Sequence, residues 1–315
     1  MRCIYDCSPQ PSSANAGLDQ LEIHGISTAL AGNYPANGTG MWAIVSGTGG
    51  TIVDLTSPTS QFQGVTGNEY ALSWTIATPC GSSTDEVVIS FYAFSCGDYL
   101  LDTREGQTYS TVQIGTQCWM AENLKIGTMI TSIAGGQLQT DNGEIEKYCY
   151  NNDANICKTY GGLYEWNEAM QYATTEAPRG ICPYGWHLPT DNEWKVLEGT
   201  VDSEYPAGDE EWDGTGWRGS DAGGNMKETG ILRWTSPNQG ATNSSGFSGR
   251  PGGYRKKSNG NFFEFGNSAY FWSSSLFNSP DAWDHYLGYD EARIGRNSAH
   301  QFSGYSVRCI LGCLP

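Results

Sequence analysis

Ten cysteines spread over 315 residues restrict the folds open to this chain more than any other feature. They stand at Cys3, Cys7, Cys80, Cys96, Cys118, Cys149, Cys157, Cys182, Cys309 and Cys313. None falls into the paired CxxC…CxxC or CxxC…HxxxH spacing of a structural zinc site, and the chain has only four histidines. An even number of thiols without metal spacing points to complete pairing as disulfides. Disulfides persist in an oxidising compartment or outside the cell. The expected localisation is therefore extracellular or at the cell surface.

The start, "MRCIYDCSPQ", lacks the apolar core of a signal peptide. An exported chain of this kind is expected to be a mature fragment or a piece of a longer polypeptide, and a virion protein would also lack a signal. No run of about 18 apolar residues occurs, so membrane insertion is not expected. A formal charge of −17, with pI near 4.5, argues against nucleic acid as a partner, because phosphate binding needs a basic surface. Charged residues make up 16% and aromatic residues 12%, with 11 Trp and 18 Tyr, a mixture that suits turn-rich β structure.

The texture of the chain changes near residue 95. Residues 1–95 read as one all-β immunoglobulin-like sandwich. In "EYALSWTI", Tyr70, Leu72, Trp74 and Ile76 share one face, while Glu69, Ser73 and Thr75 lie largely on the other. "EVVISFYAF" closes the unit, and "SGTGG" and "ATPCGSS" punctuate it as turns. Over nearly its whole length the unit resembles the PKD-like sandwich modules of large secreted proteins from Bacteroidetes-type bacteria. That resemblance implies a spacer or stalk.

Residues 96–315 carry mixed signals. "DTREGQTYSTVQIGTQCWMAENL" places Tyr109, Val112, Ile114 and Trp119 in an extended pattern broken by Gly106 and Gly115, which predicts a hairpin with a tight turn. "GGLYEWNEAMQYA" puts Leu163, Trp166 and Met170 at i, i+3 and i+7, which predicts a helix with one apolar stripe. Thr190 and Glu193 form a capping box at the start of a second helix, with Trp194 and Leu197 facing inward and His187 packed inside. Everything after residue 200 reads as loop-rich, with short strands.

Six motifs in order make the second region specific: "DTREGQTYSTVQIGTQCWMAENL", "YCYNNDANICKTYGGLYEWNEAM", "GICPYGWHLPTDNEW", "GATNSSGFSGRPGGYR", "AYFWSSS" and "GYSVRCI". Together they resemble the Fibrobacter succinogenes major paralogous domain family. Glu105 is a small departure, since the family more often has Asp there. That family is in turn similar to the C-type-lectin-like and formylglycine-generating-enzyme folds, which share a "GxxLPTxxEW" helix and a late "G(F/Y)SVRC" strand. The resemblance implies an α+β C-type-lectin-like domain: two helices packed on a small twisted sheet, with long irregular loops on one side.

A bridge from Cys182 to Cys309 would close a loop of about 127 residues and stabilise it by roughly 4–5 kcal/mol on the chain-entropy estimate. Cys149 with Cys157 could staple a local turn, and Cys96 with Cys118 the first hairpin. Cys3 or Cys7 could pair with Cys80, leaving Cys313 and one N-terminal cysteine for each other or for another chain. Sequence alone does not fix this connectivity.

Chemistry is weakly signalled, and the chain reads as non-catalytic. "GTGWRG" (214–219) matches GxGxxG in letters, but it follows the acidic "GDEEWD" and leads into no helix. His187 beside Trp186 reads as a satisfied core group. Asp209 with Asp213, or Asp281 with Asp284, could serve acid–base work, yet an acidic surface supplies such pairs freely. No GxSxG or HExxH occurs, and the copper-binding cysteine motif of the formylglycine-generating enzymes is absent. An oxidase or hydrolase is the weakest alternative.

Calcium stays open as a cofactor, because "GDEEWDGTG" and "SDAGGN" offer hard oxygen ligands, although no metal-ligand set can be named. The Glu-Pro-Asn and Trp-Asn-Asp triplets by which C-type lectins hold sugar are missing.

The expected contact surface is the set of loops over 278–301, "NSPDAWDHYLGYDEARIGRNSAHQ". Trp283, Leu287 and Ile294 read as its framework. Asp281, Trp283, Asp284, His285, Tyr286, Tyr289, Asp290, Arg293, Arg296 and His300 are the candidate ligand contacts, a mixture rich in aromatic and hydrogen-bonding groups. The expected function is binding or adhesion to a glycan or a surface protein. One alternative is a subunit of an extracellular filament or surface layer, with self-association. Another is a receptor-binding protein diversified by a retroelement, since scattered codons before the terminal strand are mutagenised in such lectin-like proteins.

Overall fold

The computed structural model describes residues 7–23, 25–133 and 138–312, and it divides into two compact units, Met1–Ser95 and Cys96–Pro315. The first unit contains β1 (Gln20–Ile23), β2 (Ser27–Ala29), β3 (Thr39–Ser46), β4 (Thr51–Ile52), β5 (Gln61–Gln63), β6 (Glu69–Thr78) and β7 (Gly81–Phe91). They form a four-stranded sheet in the order β1-β7-β6-β3 and a three-stranded sheet in the order β2-β5-β4. Trp42, Tyr70, Trp74 and Val87 from the first sheet and Ile52 and Phe62 from the second meet in one buried cluster, which makes a two-layer sandwich. Tyr70, Leu72, Trp74 and Ile76 are all fully buried, as the alternation predicts. Ser73 is also buried, because β6 runs between β7 and β3 and has neighbours on both sides. Cys7 bonds to Cys80, 73 residues away. Cys3 and Cys313 lie outside the described residues.

The second unit begins with β8 (Tyr99–Asp102), β9 (Gln107–Ile114), β10 (Gln117–Met120), β11 (Thr128–Met129) and β12 (Glu146–Lys147), followed by α1 (Ala154–Tyr160) and α2 (Trp166–Ala169). It continues with β13 (Trp186–His187), α3 (Asp191–Val201), β14 (Gly216–Arg218), α4 (Ala222–Met226), β15 (Tyr254–Arg255) and β16 (Phe262–Phe263). The last strands are β17 (Ser268–Asn278), β18 (Asp281–Gly288), β19 (Ile294–His300) and β20 (Ile310–Leu311). One five-stranded sheet has the order β13-β20-β10-β9-β8, and a four-stranded sheet has the order β14-β19-β18-β17. Between them lies a core built on Trp119, Trp194, Trp212, Trp234, Phe247 and Phe271.

The predicted hairpin is β9–β10, turned at Gly115, whose φ of 58° lies in the left-handed region that glycine adopts freely. The capping box at α3 is present: the Thr190 hydroxyl accepts from the Glu193 amide, and the Glu193 carboxylate accepts from the Thr190 amide at 2.8 Å. The other Glu193 oxygen lies 2.9 Å from His187 Nε2, so one carboxylate starts the helix and satisfies the buried histidine.

Two expectations need correction. The helix predicted around Leu163–Met170 is a single turn, α2. Its apolar residues are buried as predicted, but Leu163 belongs to a bridge with Tyr148, and Gln171 and Tyr172 take positive φ and end the turn. The region after residue 200 also holds three of the unit's longer strands, β17 to β19, rather than short pieces. Three predicted bridges are present: Cys96–Cys118, Cys149–Cys157 and Cys182–Cys309.

Candidate functional site

The stretch 278–301, expected as loops, is instead a β hairpin of β18 and β19. β18 lies between β17 and β19, hydrogen-bonded on both sides, and the chain reverses over residues 289–293. Successive residues on a strand point to opposite faces, so the ten candidate contacts cannot share one surface.

The inner face takes Trp283, His285 and Arg296. His285 is fully buried and stacks on Trp194 of α3 with ring centroids 5.0 Å apart. Its Nδ1 lies 2.5 Å from Glu198 Oε1, and its Nε2 lies 3.2 Å from Asp191 Oδ1, off the line for a hydrogen bond. Arg218 reaches the same Glu198 at 2.6 Å, and Arg296 grips Asp191 with two bonds of 2.7 and 2.8 Å. Although burial opposes ionisation, the His285 ring close by and the two bonds from Arg296 hold the Asp191 carboxyl well below the usual range. The Arg296 guanidinium also lies 3.4 Å from the centre of the Trp283 ring. His285 and Arg296 therefore fasten α3 to the sheet and are too buried to touch a ligand.

At the hairpin turn Asp290 and Arg293 are exposed, Arg293 pairs with Glu291 at 2.6 Å, and Tyr289 packs against the core. Asp281 and His300 face each other at the opposite end of the hairpin. Asp281 and Asp284 sit on opposite faces of β18, so they are not a carboxylate pair.

The outer face holds a continuous strip of aromatic rings. Trp217 of β14 and Tyr286 of β18 meet at 4.7 Å above Gly295 of β19, which pairs with both in register. A Cβ at Gly295 would lie 2.1 Å from the Tyr286 ring, so only glycine lets the two rings close over the strand. Tyr270 of β17 stacks on Tyr286 at 5.6 Å and on Tyr305 at 5.1 Å, and Tyr305 stacks on Trp272 at 4.5 Å. Tyr254 and Phe263 extend the strip beyond Tyr270. Trp217, Tyr254, Tyr270 and Tyr286 are half-buried, which leaves part of each ring open to solvent.

Asp284 shares this outer face, one step along β18 from Tyr286 and opposite Trp272 in register. It is only 2% exposed and forms no hydrogen bond or ion pair with any described residue. Burial pushes its carboxyl up to about 7, against the small opposing pull of His285. Its charge in turn helps raise the hydroxyls of Tyr305, Tyr286 and Tyr270, each shifted upward first by burial. A carboxyl held at that point can accept or donate a hydrogen bond near neutral pH.

Of the ten expected contacts, only Tyr286 and Asp284 thus fall within this strip. The others in it, Trp217, Tyr254, Phe263, Tyr270, Trp272 and Tyr305, come from distant parts of the sequence. Trp217 belongs to "GTGWRG", whose glycines frame a three-residue strand.

The carboxylates that might have served calcium face backbone N–H groups instead. Asp221 Oδ1 accepts from Ser203 at 2.9 Å, Asp209 caps a short helical turn, and Glu211 accepts from Gly219. Asp213 pairs with Lys195 at 2.8 Å. No group of three or more His, Cys, Asp or Glu arranged to hold a metal occurs among the described residues.

Fold and site together describe a disulfide-braced β unit that presents an aromatic strip on the open face of a sheet. The chain belongs to the Fibrobacter succinogenes major domain family, whose model matches residues 112–311. Among solved structures it is similar to one described as "Solution structure of the PKD domain from KIAA 1837 protein", at 17% identity over 30% of this chain and 100% of that one, with a TM-score of 0.23. No curated protein matches the chain.

Proposed function

We propose that the protein binds a glycan on the outer face of the β14-β19-β18-β17 sheet, as an extracellular or cell-surface adhesion module. The observation that supports this most is the row of half-open Trp217, Tyr286, Tyr270 and Tyr254 rings on one face of the sheet. Ring faces offer flat apolar area for the C–H face of a sugar, and the tyrosine hydroxyls offer hydrogen bonds to its hydroxyls. In this reading the second unit is a C-type-lectin-like binding domain and the first an immunoglobulin-type, PKD-like spacer. Four disulfides favour an oxidising, extracellular setting. No helix among the described residues is long and apolar enough to cross a membrane. The filament alternative drew on an unpaired Cys313 or N-terminal cysteine; Cys7 is bonded to Cys80, and Cys3 and Cys313 lie outside the described residues.

A glycan panel probed with the full chain tests this reading. Trp217→Ala with Tyr286→Ala should weaken binding of any captured glycan by more than tenfold, about 1.4 kcal/mol. A hairpin-turn variant, Tyr289→Ala with Arg293→Ala, should bind like the wild type. Loss in the turn variant with retention in the strip variant would move the site back to the turn.

Asp284 also makes stability depend on pH. Its folded pKa of about 7 lies above the ordinary 3.8 of an aspartate, so the folded state holds the proton more tightly than the unfolded chain does. That stabilisation is complete below about pH 3.8 and is lost as pH rises through about 7. Asp284→Asn should remove this slope and stabilise the second unit at pH 8 by up to about 4 kcal/mol. Urea denaturation at pH 5 and pH 8 measures it. Equal slopes in the two proteins would show that Asp284 ionises freely in the fold.

A further inference from the structure

Three of the chain's seven lysines, Lys125, Lys147 and Lys158, line one cavity of about 310 Å³ in the second unit. The parallel pairing of β11 with β12 sets Met129 beside Lys147, and Gly127, Ala154 and Gln107 complete the wall. The Cys149–Cys157 disulfide lines the cavity and ties β12 to α1, which carries Lys158. The cavity is therefore braced by a covalent staple and a pair of strands.

Its charge is unbalanced. The Lys147 ammonium donates to the Lys125 carbonyl, and Lys158 donates to Asn155 Oδ1 at 3.1 Å. Neither forms an ion pair among the described residues. Lys125 lies over the Tyr109 ring and has Glu122 at 3.7 Å, a distant partner. The acid whose charge acts on Lys147 is Glu105, an exposed residue that accepts from the Gly127 amide at 2.7 Å. Burial lowers the Lys147 pKa, so an anion brought into the cavity would recover interaction energy now missing. In a chain with formal charge −17, this gathering of cations around one cavity is the opposite of the overall balance.

We propose that this cavity binds a small carboxylated sugar ring of the uronic acid class. Its volume lies at the lower end of ligand pockets, the size of a single ring rather than a chain. Separate ammonium groups suit a carboxylate with charge-assisted bonds. A phosphate site would use converging backbone amides, and the Gly127 amide is already engaged by Glu105. The Met129 thioether and the disulfide supply apolar wall for the ring, and the Gln107 amide can meet a hydroxyl. This site shares no lining residue with the aromatic strip and stands whether or not the strip binds glycan.

Calorimetric titration of the full chain with glucuronate, glucose and inorganic phosphate tests it. Glucuronate should bind with a Kd of ~1 mM or tighter, and glucose should give no signal. Lys147→Met and Lys158→Glu should each weaken glucuronate at least tenfold. The strip variant Trp217→Ala with Tyr286→Ala should leave it unchanged. Lys158 is exposed, so its variant carries the test if Lys147→Met fails to fold. No glucuronate binding, equal binding by the lysine variants, or phosphate binding as tight as glucuronate would each overturn the proposal.

Discussion

Replacing Arg218 with methionine is expected to destabilise the second unit by about 3–5 kcal/mol, because it strands a buried charge. Arg218 and Glu198 are 2% and 0% exposed, and they meet at 2.6 Å behind the sheet. Arg218 also donates to the Trp212 carbonyl, so its loss removes a second bond. Glu198 would keep only His285 as a partner, with no water to replace the guanidinium. Replacing both partners, Arg218→Met with Glu198→Met, should recover most of the loss, since no charge is then left alone in the core. Urea denaturation followed by tryptophan fluorescence separates the cases. A single variant that costs less than about 1 kcal/mol, or a double variant worse than the single, would show that the pair is not a desolvated ion pair.

The second large effect concerns the long-range disulfide. Cys182–Cys309 spans 127 residues, whereas Cys149–Cys157 spans 8. Loop closure alone makes the first worth about 5 kcal/mol and the second about 2.5 kcal/mol. Cys182→Ser with Cys309→Ser should therefore lower the Tm of the second unit by roughly 8–20 °C, about twice the shift of the Cys149 and Cys157 pair. Calorimetry on both double variants measures this. Equal shifts would remove loop closure as the explanation and leave local packing of the sulfurs.

The parts of the fold that could be read from sequence are those written in short, local patterns. The alternation along β6, the glycine turn of β9–β10 and the Thr190–Glu193 cap each depend on residues within ten positions of one another. The three cysteine pairings of the second unit were open in the sequence, and the structure settles them. What sequence hid was pairing at long range. Trp217, Tyr270, Tyr286 and Tyr305 come from four separate segments, and only the strand register brings their rings to one face. The signal for part of this was present: in "DAWDHYLG" even and odd positions differ in kind, with Ala282, Asp284 and Tyr286 alternating with Trp283, His285 and Leu287. Reading that stretch as a loop merged two faces into one. The burial of Glu198 was invisible for a related reason, because its partners Arg218 and His285 lie 20 and 87 residues away.

The central position of β18 also decides how this surface can change over generations. Main-chain bonds to β17 and β19 hold the strand whatever its outward side chains are, so Tyr286 and Asn297 can be exchanged without disturbing the ladder. Gly295 and Gly288 are exceptions, since a side chain at either would run into the Tyr286 or Trp217 ring above it. The sheet thus behaves as a fixed rack whose open outward positions can be rewritten one at a time, with slots under the rings that must stay empty.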